Sequence, residues 1–275
     1  MAGCQLPQCL RIGVDPVVAH LGGFNLYWYG VLVAAGFVAA IWFGTREAER
    51  EDLDGDQVLS AVLVAALVGL LGARLYYILA NDPRHYLSAS HIGEALSLWQ
   101  GGLSFYGGIF GGVLGAWIYA ARYQLPVLRL LDLGAMMALL GLAVGRVGNL
   151  INGHIVGYGT NGWGVEYTNT GNFLVPADAL GRTQQPVAMY ELAFDAALFG
   201  LLFWLHRRGW LRPGQLSGLF LVGWAAGQLL VQTFRVGPTG LGGLKPAQIT
   251  ALPLIAGGLW LFLRASRLEP TRQAV

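Results

Sequence analysis

The sequence predicts an all-α membrane protein of about seven transmembrane helices, with a small extracytoplasmic head between the fourth and fifth spans. Of its 275 residues, 55% are hydrophobic and only 12% are charged, whereas soluble domains carry about 25% charged residues. Apolar runs close to the ~20 residues that cross a bilayer recur along the chain. The 41 glycines and 9 tryptophans are typical of close helix packing and of interfacial anchoring.

Seven apolar runs are long enough to predict membrane spans. They lie at Leu26–Phe43, Val58–Leu79, Leu103–Ala121, Leu131–Leu150, Val187–Leu205, Gln215–Phe234 and Ala247–Leu263. The third run begins within GGLSFYGGIFGG, whose first part could be broken or re-entrant. Such backbone at membrane depth has to be buried in protein or line a wet cavity. We expect residues 1–275 to form a single polytopic membrane domain.

The basic residues predict the orientation of these spans. Ten of them fall on one side and five on the other, so the positive-inside rule puts the N-terminus outside and the C-terminus in the cytoplasm. The ten are Arg46, Arg50, Arg122, Arg129, Arg207, Arg208, Arg212, Arg264, Arg267 and Arg272; the five are Arg11, Arg84, Arg182, Arg235 and Lys245. The longest connection, residues 151–186, is then extracytoplasmic and long enough to form a small head.

The N-terminal twenty residues hold the two cysteines of the chain, Cys4 and Cys9. They could pair on an extracytoplasmic side, but two unpaired thiols are the expectation, and no further cysteine completes a metal site. No apolar run here is long enough for a signal peptide, so we expect the first span to be an uncleaved anchor. A net charge of +2 with scattered basic residues argues against a nucleic-acid partner.

The segment GRVGNLINGHIVG, residues 145–157, combines charge with glycine at the end of the fourth run. Arg146 near the hydrocarbon is a functional-site candidate because a charge there is costly unless it faces a polar cavity or an anion. Asn149 and Asn152 supply amide donors and acceptors, and Gly157 would let backbone approach a ligand. An arginine that snorkels to the interface beside helix-packing glycines is the alternative interpretation.

These residues and several other motifs resemble the prolipoprotein diacylglyceryl transferase family. The family signature runs approximately G-R-x-G-N-F-x-N-x-E-x-x-G, which residues 145–157 follow. The resemblance continues, in the family's order, through WYG at 28–30, GARLYYIL at 72–79, GGLSFYGG at 101–108, QPVAMYE at 185–191, Arg235 and LKPAQI at 244–249.

The resemblance implies transfer of the diacylglyceryl group of phosphatidylglycerol to the lipobox cysteine of a preprolipoprotein, with release of glycerol 1-phosphate. It implies no metal and no organic cofactor. It also implies a multi-pass protein of the bacterial inner or plasma membrane, with the active site open to the outer face. The charge count reaches that same face independently.

The resemblance also implies the site residues. Arg146, Asn152 and Gly157 are expected to bind substrate; the catalytic candidates are Tyr29, Tyr106, Asn149, His154 and Arg235. Two arginines would stabilise negative charge on the departing phosphate oxygens. Tyr29 can equally be an interfacial aromatic, and Arg235 a snorkelling charge at the end of a span.

Two acidic residues of the fifth run, Glu191 and Asp195, are four residues apart on one helical face. Because buried charges are generally paired, we expect them to form structural ion pairs that anchor arginines or order the cavity, and Arg74 of the second run is a natural partner.

The sequence also departs from the family pattern. Tyr27 and Tyr106 replace common histidines, and His154 and Gln232 replace common glutamates, so acid–base chemistry is rearranged or lost. His154 is then a hypothetical base or orienting group for the substrate thiol, or else an exposed loop histidine. Tyr106 is expected to donate a hydrogen bond to a phosphate or glycerol oxygen.

Two other functions stay open from the sequence. A catalytically impaired relative could still bind anionic lipid or lipoprotein precursors, which the departures allow. A transporter would also contain broken spans and intramembrane charge. Against the transporter stand the lack of an evident internal repeat and the order of the matched motifs.

Overall fold

The computed structural model describes residues 9–22, 24–81, 83–86, 88, 91–97, 102–172 and 174–267, without the side chains of residues 21, 24, 92, 105, 106 and 241. Over this part of the chain the protein is mostly helical, with four short strands. The elements are β1 Cys9–Ile12, β2 Val17–Leu21, β3 Phe24–Tyr27, α1 Trp28–Arg50, α2 Gly55–Ala80, α3 Pro83–Tyr86, α4 Ile92–Leu96, α5 Phe105–Arg122, α6 Val127–Asn152, β4 Gly164–Tyr167, α7 Val187–Arg207, α8 Gln215–Val231 and α9 Pro246–Arg267.

Six helical segments are long and apolar enough to cross a membrane, which confirms the membrane class. They are α1, α2, α6, α7, α9, and α8 together with the 3₁₀ turn Gln232–Phe234 that continues it. The third predicted run forms α5, an uninterrupted helix of 18 residues that is not among the six. A seventh span and an extracytoplasmic head therefore stay predictions.

The chain divides into two compact units. One comprises Met1–Trp42 with Leu131–Val275, and the other comprises Phe43–Leu130. The expectation of a single polytopic domain over residues 1–275 stays a prediction.

In the unit Phe43–Leu130, glycine brings α2 and α5 into backbone contact. A Cβ on Gly72 would lie 2.5 Å from the Gly107 carbonyl oxygen, and a Cβ on Gly107 would overlap the Gly72 carbonyl in turn. A Cβ on Gly111 would overlap the Val68 carbonyl oxygen. Small residues at such positions let membrane helices approach closely, so these glycines pack helices as their abundance predicts.

Arg74 of α2 belongs to this unit and donates hydrogen bonds to backbone carbonyl groups. Its Nε donates to the Ala95 carbonyl oxygen at 2.9 Å and its Nη1 to the Gly102 carbonyl oxygen at 2.9 Å. Its Nη2 donates to the Glu94 carbonyl oxygen. The guanidinium therefore ties α4 and the residues before α5 to α2.

In the other unit, α8 is fixed at its beginning by an acidic side chain and along its length by glycine. Asp132 of α6 accepts from the backbone nitrogens of Gly214 at 2.6 Å and Ser217 at 2.7 Å, which satisfies donors that a helix N-terminus leaves unpaired. Gly218 of α8 and Gly258 of α9 oppose each other, and a Cβ on either would lie 2.8 Å from the other's carbonyl oxygen.

The four strands form two pairs that the all-α prediction omits. β2 and β3 are an antiparallel hairpin. β1 pairs in parallel with β4, and this pair joins the N-terminal region to the segment 151–186. A buried cluster consisting of Ile12, Val165, Tyr167, Val175 and Ala179 supports it. The segment 151–186 and β1 therefore share a small apolar core.

Cys9 lies in β1 and is buried. It is disulfide-bonded, so the expectation of two unpaired thiols is wrong. Cys4, the other cysteine of the sequence, lies outside the described residues.

Candidate active site

The end of α6 presents three polar side chains of the motif in residues 145–157. Arg146, Asn149 and Asn152 recur every three residues, which places them on one side of the helix. α6 ends at Asn152, and Gly153 follows with φ of +72°. This left-handed conformation favours glycine and is common just after a helix. The motif is therefore a helix end followed by a sharp change of chain direction.

Arg146 forms ion pairs with both acidic residues of α7. Its Nη1 lies 2.8 Å from Glu191 Oε2 and its Nε lies 3.5 Å from Asp195 Oδ2. The two carboxylate side chains are 1% exposed and the arginine side chain 14%. The expected structural ion pairs are thus confirmed with Arg146 as their cation, whereas a pairing with Arg74, which belongs to the other unit, stays a prediction. The sequence shows which helical face carries a charge, not which helix packs against that face.

Two buried amide oxygens beside these ion pairs, Asn149 Oδ1 and Asn152 Oδ1, have no hydrogen-bond partner among the described residues. Buried polar atoms in proteins usually have partners. The side of α6 that carries Arg146 and the two asparagines is therefore suited to a polar ligand.

His154 lies just beyond α6, in contact with the first turn of α1. Its ring meets the ring of Tyr29 edge to face, with centroids 5.3 Å apart and an interplanar angle of 88°. Gly148 allows the approach, since a Cβ there would lie 3.0 Å from Tyr29 Cα. The pKa of His154 is lowered, first by partial burial and then by the positive charges of Arg235 and Arg146. A neutral imidazole, able to accept a proton, is therefore favoured near neutral pH.

Arg235 follows the 3₁₀ turn at the end of α8 and pairs with the signature segment. Gly157 and Arg235 form an antiparallel bridge. On either side of it, Val236 N donates to Val156 O at 2.8 Å and Tyr158 N donates to Phe234 O at 3.0 Å. The signature and Arg235, distant in sequence, are thus joined by backbone hydrogen bonds.

Gly157 occupies a position with no room for a side chain. A Cβ there would overlap the Gln185 carbonyl oxygen. Its backbone nitrogen donates to Gln184 Oε1 at 3.1 Å. The signature glycine therefore permits close packing against the segment that leads into α7.

His154, Gly157 and Arg235 line one cavity of about 360 Å³. Sequence reasoning missed three polar residues of its wall, Asp178, Arg182 and Gln184. The other lining residues are Val156, Tyr158, Gly159, Pro176, Ala179 and Val236.

Of the remaining predicted site residues, those with described side chains, Tyr29, Arg146, Asn149 and Asn152, do not line this cavity. Tyr29 contacts the ring of His154, which lines the cavity. Arg146 and Asn149 lie within α6, and Asn152 ends that helix. Tyr106 is the second residue of α5, and its side chain lies outside the described part of the chain.

Among the residues that the structure describes, one group of side chains could hold a metal ion. His85, His91 and Glu94 offer ligand atoms within 4.8 Å of one another. A contact of 3.0 Å between His85 Nε2 and Glu94 Oε2 accounts for part of this clustering without a metal.

Comparison with known proteins assigns the family. The family model described as prolipoprotein diacylglyceryl transferase matches residues 16–264. The phosphatidylglycerol–prolipoprotein diacylglyceryl transferase of Methylobacillus flagellatus is 33% identical over 265 residues, 92% of this chain and 97% of that protein. Proteins of that name from Geobacillus kaustophilus and Legionella pneumophila (strain Lens) are 33% identical over 256 residues (92% and 93% of the two chains) and 30% identical over 257 residues (90% and 96%). The chain belongs to the prolipoprotein diacylglyceryl transferase family.

Proposed function

We propose that this protein transfers the diacylglyceryl group of phosphatidylglycerol to the lipobox cysteine of preprolipoproteins. The cysteine sulfur forms a bond to the glycerol carbon of the lipid, the bond from that carbon to the phosphate oxygen breaks, and glycerol 1-phosphate leaves. The thiol proton passes to a base of the enzyme. The names of the family and of the relatives support this reaction.

One observation carries the proposal at the level of geometry. His154 and Arg235 line the same cavity, and the charges of Arg235 and Arg146 both lower the pKa of His154. Two cations thus act on the imidazole that would accept the thiol proton. A phosphate ester held beside these cations would lie next to that base.

The two arginines have different tasks in this proposal. Arg146 is held by two buried carboxylates, whereas Arg235 forms no ion pair among the described residues. Arg235 is therefore the group that binds the phosphate of the cavity ligand directly, with a planar fork that suits two oxygens. Arg146 contributes positive charge from a fixed position and binds substrate with the N–H groups that its carboxylates leave available.

The other predicted residues complete the site. Asn149 and Asn152 contribute amide groups to lipid oxygens on the side of α6 that carries Arg146, and Gly157 gives the wall its close packing. Tyr29 orients the His154 ring through their edge-to-face contact. Tyr106 donates a hydrogen bond to a phosphate or glycerol oxygen. In a Tyr106→Phe variant we expect lower turnover without loss of folding; unchanged kinetics would remove Tyr106 from the site.

We also propose seven spans, with the N-terminus and the segment 151–186 outside and the C-terminus in the cytoplasm. The uneven distribution of basic residues supports this orientation. The disulfide-bonded Cys9 supports it as well, because disulfides persist in oxidising compartments. Cys9 lies in β1, which pairs with β4 of the segment 151–186. The active site then opens to the outer face of a bacterial inner or plasma membrane.

Complementation of a bacterium depleted of its own transferase tests the function. We expect the wild-type gene to restore growth and the purified protein to add the diacylglyceryl mass to a lipobox peptide in phosphatidylglycerol vesicles. An Arg235→Gln variant should fail to restore growth and should transfer the diacylglyceryl group at a rate that is far below wild type but still measurable. Arg264→Gln, a control that contacts Trp260 near the end of α9, should retain activity. Binding of phosphatidylglycerol without rescue or transfer would indicate the impaired relative instead.

A His154→Ala variant tests the base. We expect it to lose turnover at neutral pH while phosphatidylglycerol still binds, since the arginines remain. Wild-type turnover in this variant would refute the role of His154.

A further inference from the structure

Lys245 is a buried cation next to the candidate active site that the proposed reaction does not use. It immediately precedes α9 and is 7% exposed. Its Nζ donates to two backbone carbonyl oxygens, those of Gln232 and Arg235. The ammonium also lies 5.1 Å from the centroid of the Tyr158 ring, at a distance at which a cation is attracted to an aromatic face.

Both carbonyl groups that Lys245 binds lie where α8 and its 3₁₀ turn end. Gln232 begins the 3₁₀ turn that continues α8, and Arg235 is the first residue beyond that turn. A second contact reinforces this connection, because Gln248 Nε2 donates to the Leu229 carbonyl oxygen at 3.1 Å while Gln248 Oε1 accepts from Lys245 N at 3.0 Å. The start of α9 thus holds the end of α8.

Arg235 is fixed from two directions as a result. On one side its backbone pairs with Gly157, and on the other its carbonyl accepts from Lys245. Tyr158, beneath the Lys245 ammonium, lines the same cavity as Arg235. Lys245 therefore contacts two residues of the cavity wall without lining the cavity itself.

We propose that Lys245 is a positioning residue that sets the direction in which Arg235 presents its guanidinium to the lipid phosphate. The proposal rests on the proposed function. Loss of the ammonium would remove one of the two donors to the Gln232 carbonyl oxygen, which also accepts from Arg235 N at 3.3 Å, and the Lys245 contact of the Arg235 carbonyl oxygen, so the Arg235 backbone would be released on one side. Because misplacement of a reacting group by about 1 Å can cost about 100-fold in rate, the effect should appear in catalysis and in anion binding.

The test compares Lys245→Met and Lys245→Arg in the purified full-length protein, with kcat and KM for phosphatidylglycerol measured per folded molecule. We expect Lys245→Met to lower kcat/KM by about 10- to 100-fold, and Lys245→Arg, which keeps a donor, to recover part of it. In the Arg235→Gln background, Lys245→Met should add little, because it acts through Arg235. Additive losses, or kcat/KM within twofold of wild type in Lys245→Met, would overturn the proposal.

Arg212→Met is the matched control. Arg212 is also a cation that donates to a backbone carbonyl, that of Ser266, but it joins the opposite ends of α8 and α9. Loss of this contact should affect thermal stability without changing kcat/KM. An equal loss of kcat/KM in Arg212→Met and Lys245→Met would show a structural role for both and overturn the positioning role.

Binding of glycerol 1-phosphate, measured by calorimetry, separates this proposal from the proposed function. If the wild-type protein lacks transferase activity, the proposed function fails, and the binding measurement then decides the role of Lys245. Weaker binding in Lys245→Met than in wild type and Arg212→Met would support it. Equal binding in all three, or none in the wild type, would overturn it.

Discussion

The ion pairs between α6 and α7 predict which of their charged side chains contributes most to the stability of the fold. Arg146 faces two carboxylates, those of Glu191 and Asp195, whose side chains are each 1% exposed. An Arg146→Leu variant leaves both carboxylates buried without their cation. A Glu191→Gln variant, in contrast, leaves Arg146 with Asp195 at 3.5 Å. The loss of the arginine should therefore be the more damaging change.

The structure allows the sizes of these effects to be ranked. Removing one partner of a buried ion pair costs about 3–5 kcal/mol, and Arg146→Leu should reach the upper end because two carboxylates lose one cation. Glu191→Gln removes the 2.8 Å contact but leaves one cation with one anion, so we expect about 1–3 kcal/mol. Asp195→Asn removes the longer contact and should cost less.

Thermal unfolding of the detergent-purified protein, followed by tryptophan fluorescence, measures this order. We expect Tm to fall from wild type through Asp195→Asn and Glu191→Gln to Arg146→Leu. A triple variant that also neutralises both carboxylates should be more stable than Arg146→Leu alone, because a neutral cluster has no unpaired charge. An Arg146→Leu protein as stable as Glu191→Gln would refute the reasoning.

Three further predictions concern other positions. Gly157→Ala should abolish activity or folding because its Cβ would overlap the Gln185 carbonyl oxygen, whereas Gly200→Ala in α7, whose Cβ would meet nothing within 4 Å, should be active in the same assay. Because the pKa of His154 is lowered below its ordinary value of 6.5, the unfolded chain binds more protons just below that pH, so the free energy of unfolding should decrease as pH falls through this range; denaturant unfolding of a His154→Gln variant should lack that component. Asp132→Asn should lower the free energy of unfolding by about 1–3 kcal/mol because it weakens two backbone hydrogen bonds at the start of α8, and an unchanged midpoint in denaturant would contradict this.

The helices were predictable from the sequence, but the strands were not. A run of about 20 apolar residues leaves few alternatives to a helix in lipid, and each of the seven runs coincides with a long helix. β1 and β4 have four residues each and pair although more than half of the chain separates them. Strands this short show no clear alternation of apolar and polar residues, and their pairing depends on contacts between residues that are distant in sequence.

The residues of the candidate site were predictable from the sequence where they belong to a recognised motif. His154, Gly157 and Arg235 line one cavity, although nothing in their spacing requires a backbone bridge between the last two. Asp178 and Arg182 were missed because they lie in irregular chain, where no periodicity or motif marks a position. Their place at the cavity depends on how the segment 151–186 folds back, which its local sequence does not specify.

The charges around the cavity indicate at which stage of the proposed reaction His154 accepts a proton from the thiol. Arg146 lies beside the carboxyl groups of Glu191 and Asp195, and a bound phosphodiester adds one negative charge to the site. Cleavage of the carbon–oxygen bond places a further negative charge on the departing phosphate. If His154 takes the thiol proton, the imidazolium places a positive charge beside the departing phosphate while the carbon–oxygen bond breaks. The pKa of His154 is lowered first by burial and then by the two arginines, so a bound phosphate that screens the arginines would make His154 a better base. The thiol should therefore be activated only when the lipid is in place, and turnover in the His154→Ala variant should fall at saturating phosphatidylglycerol, where a role in lipid binding alone would leave it unchanged.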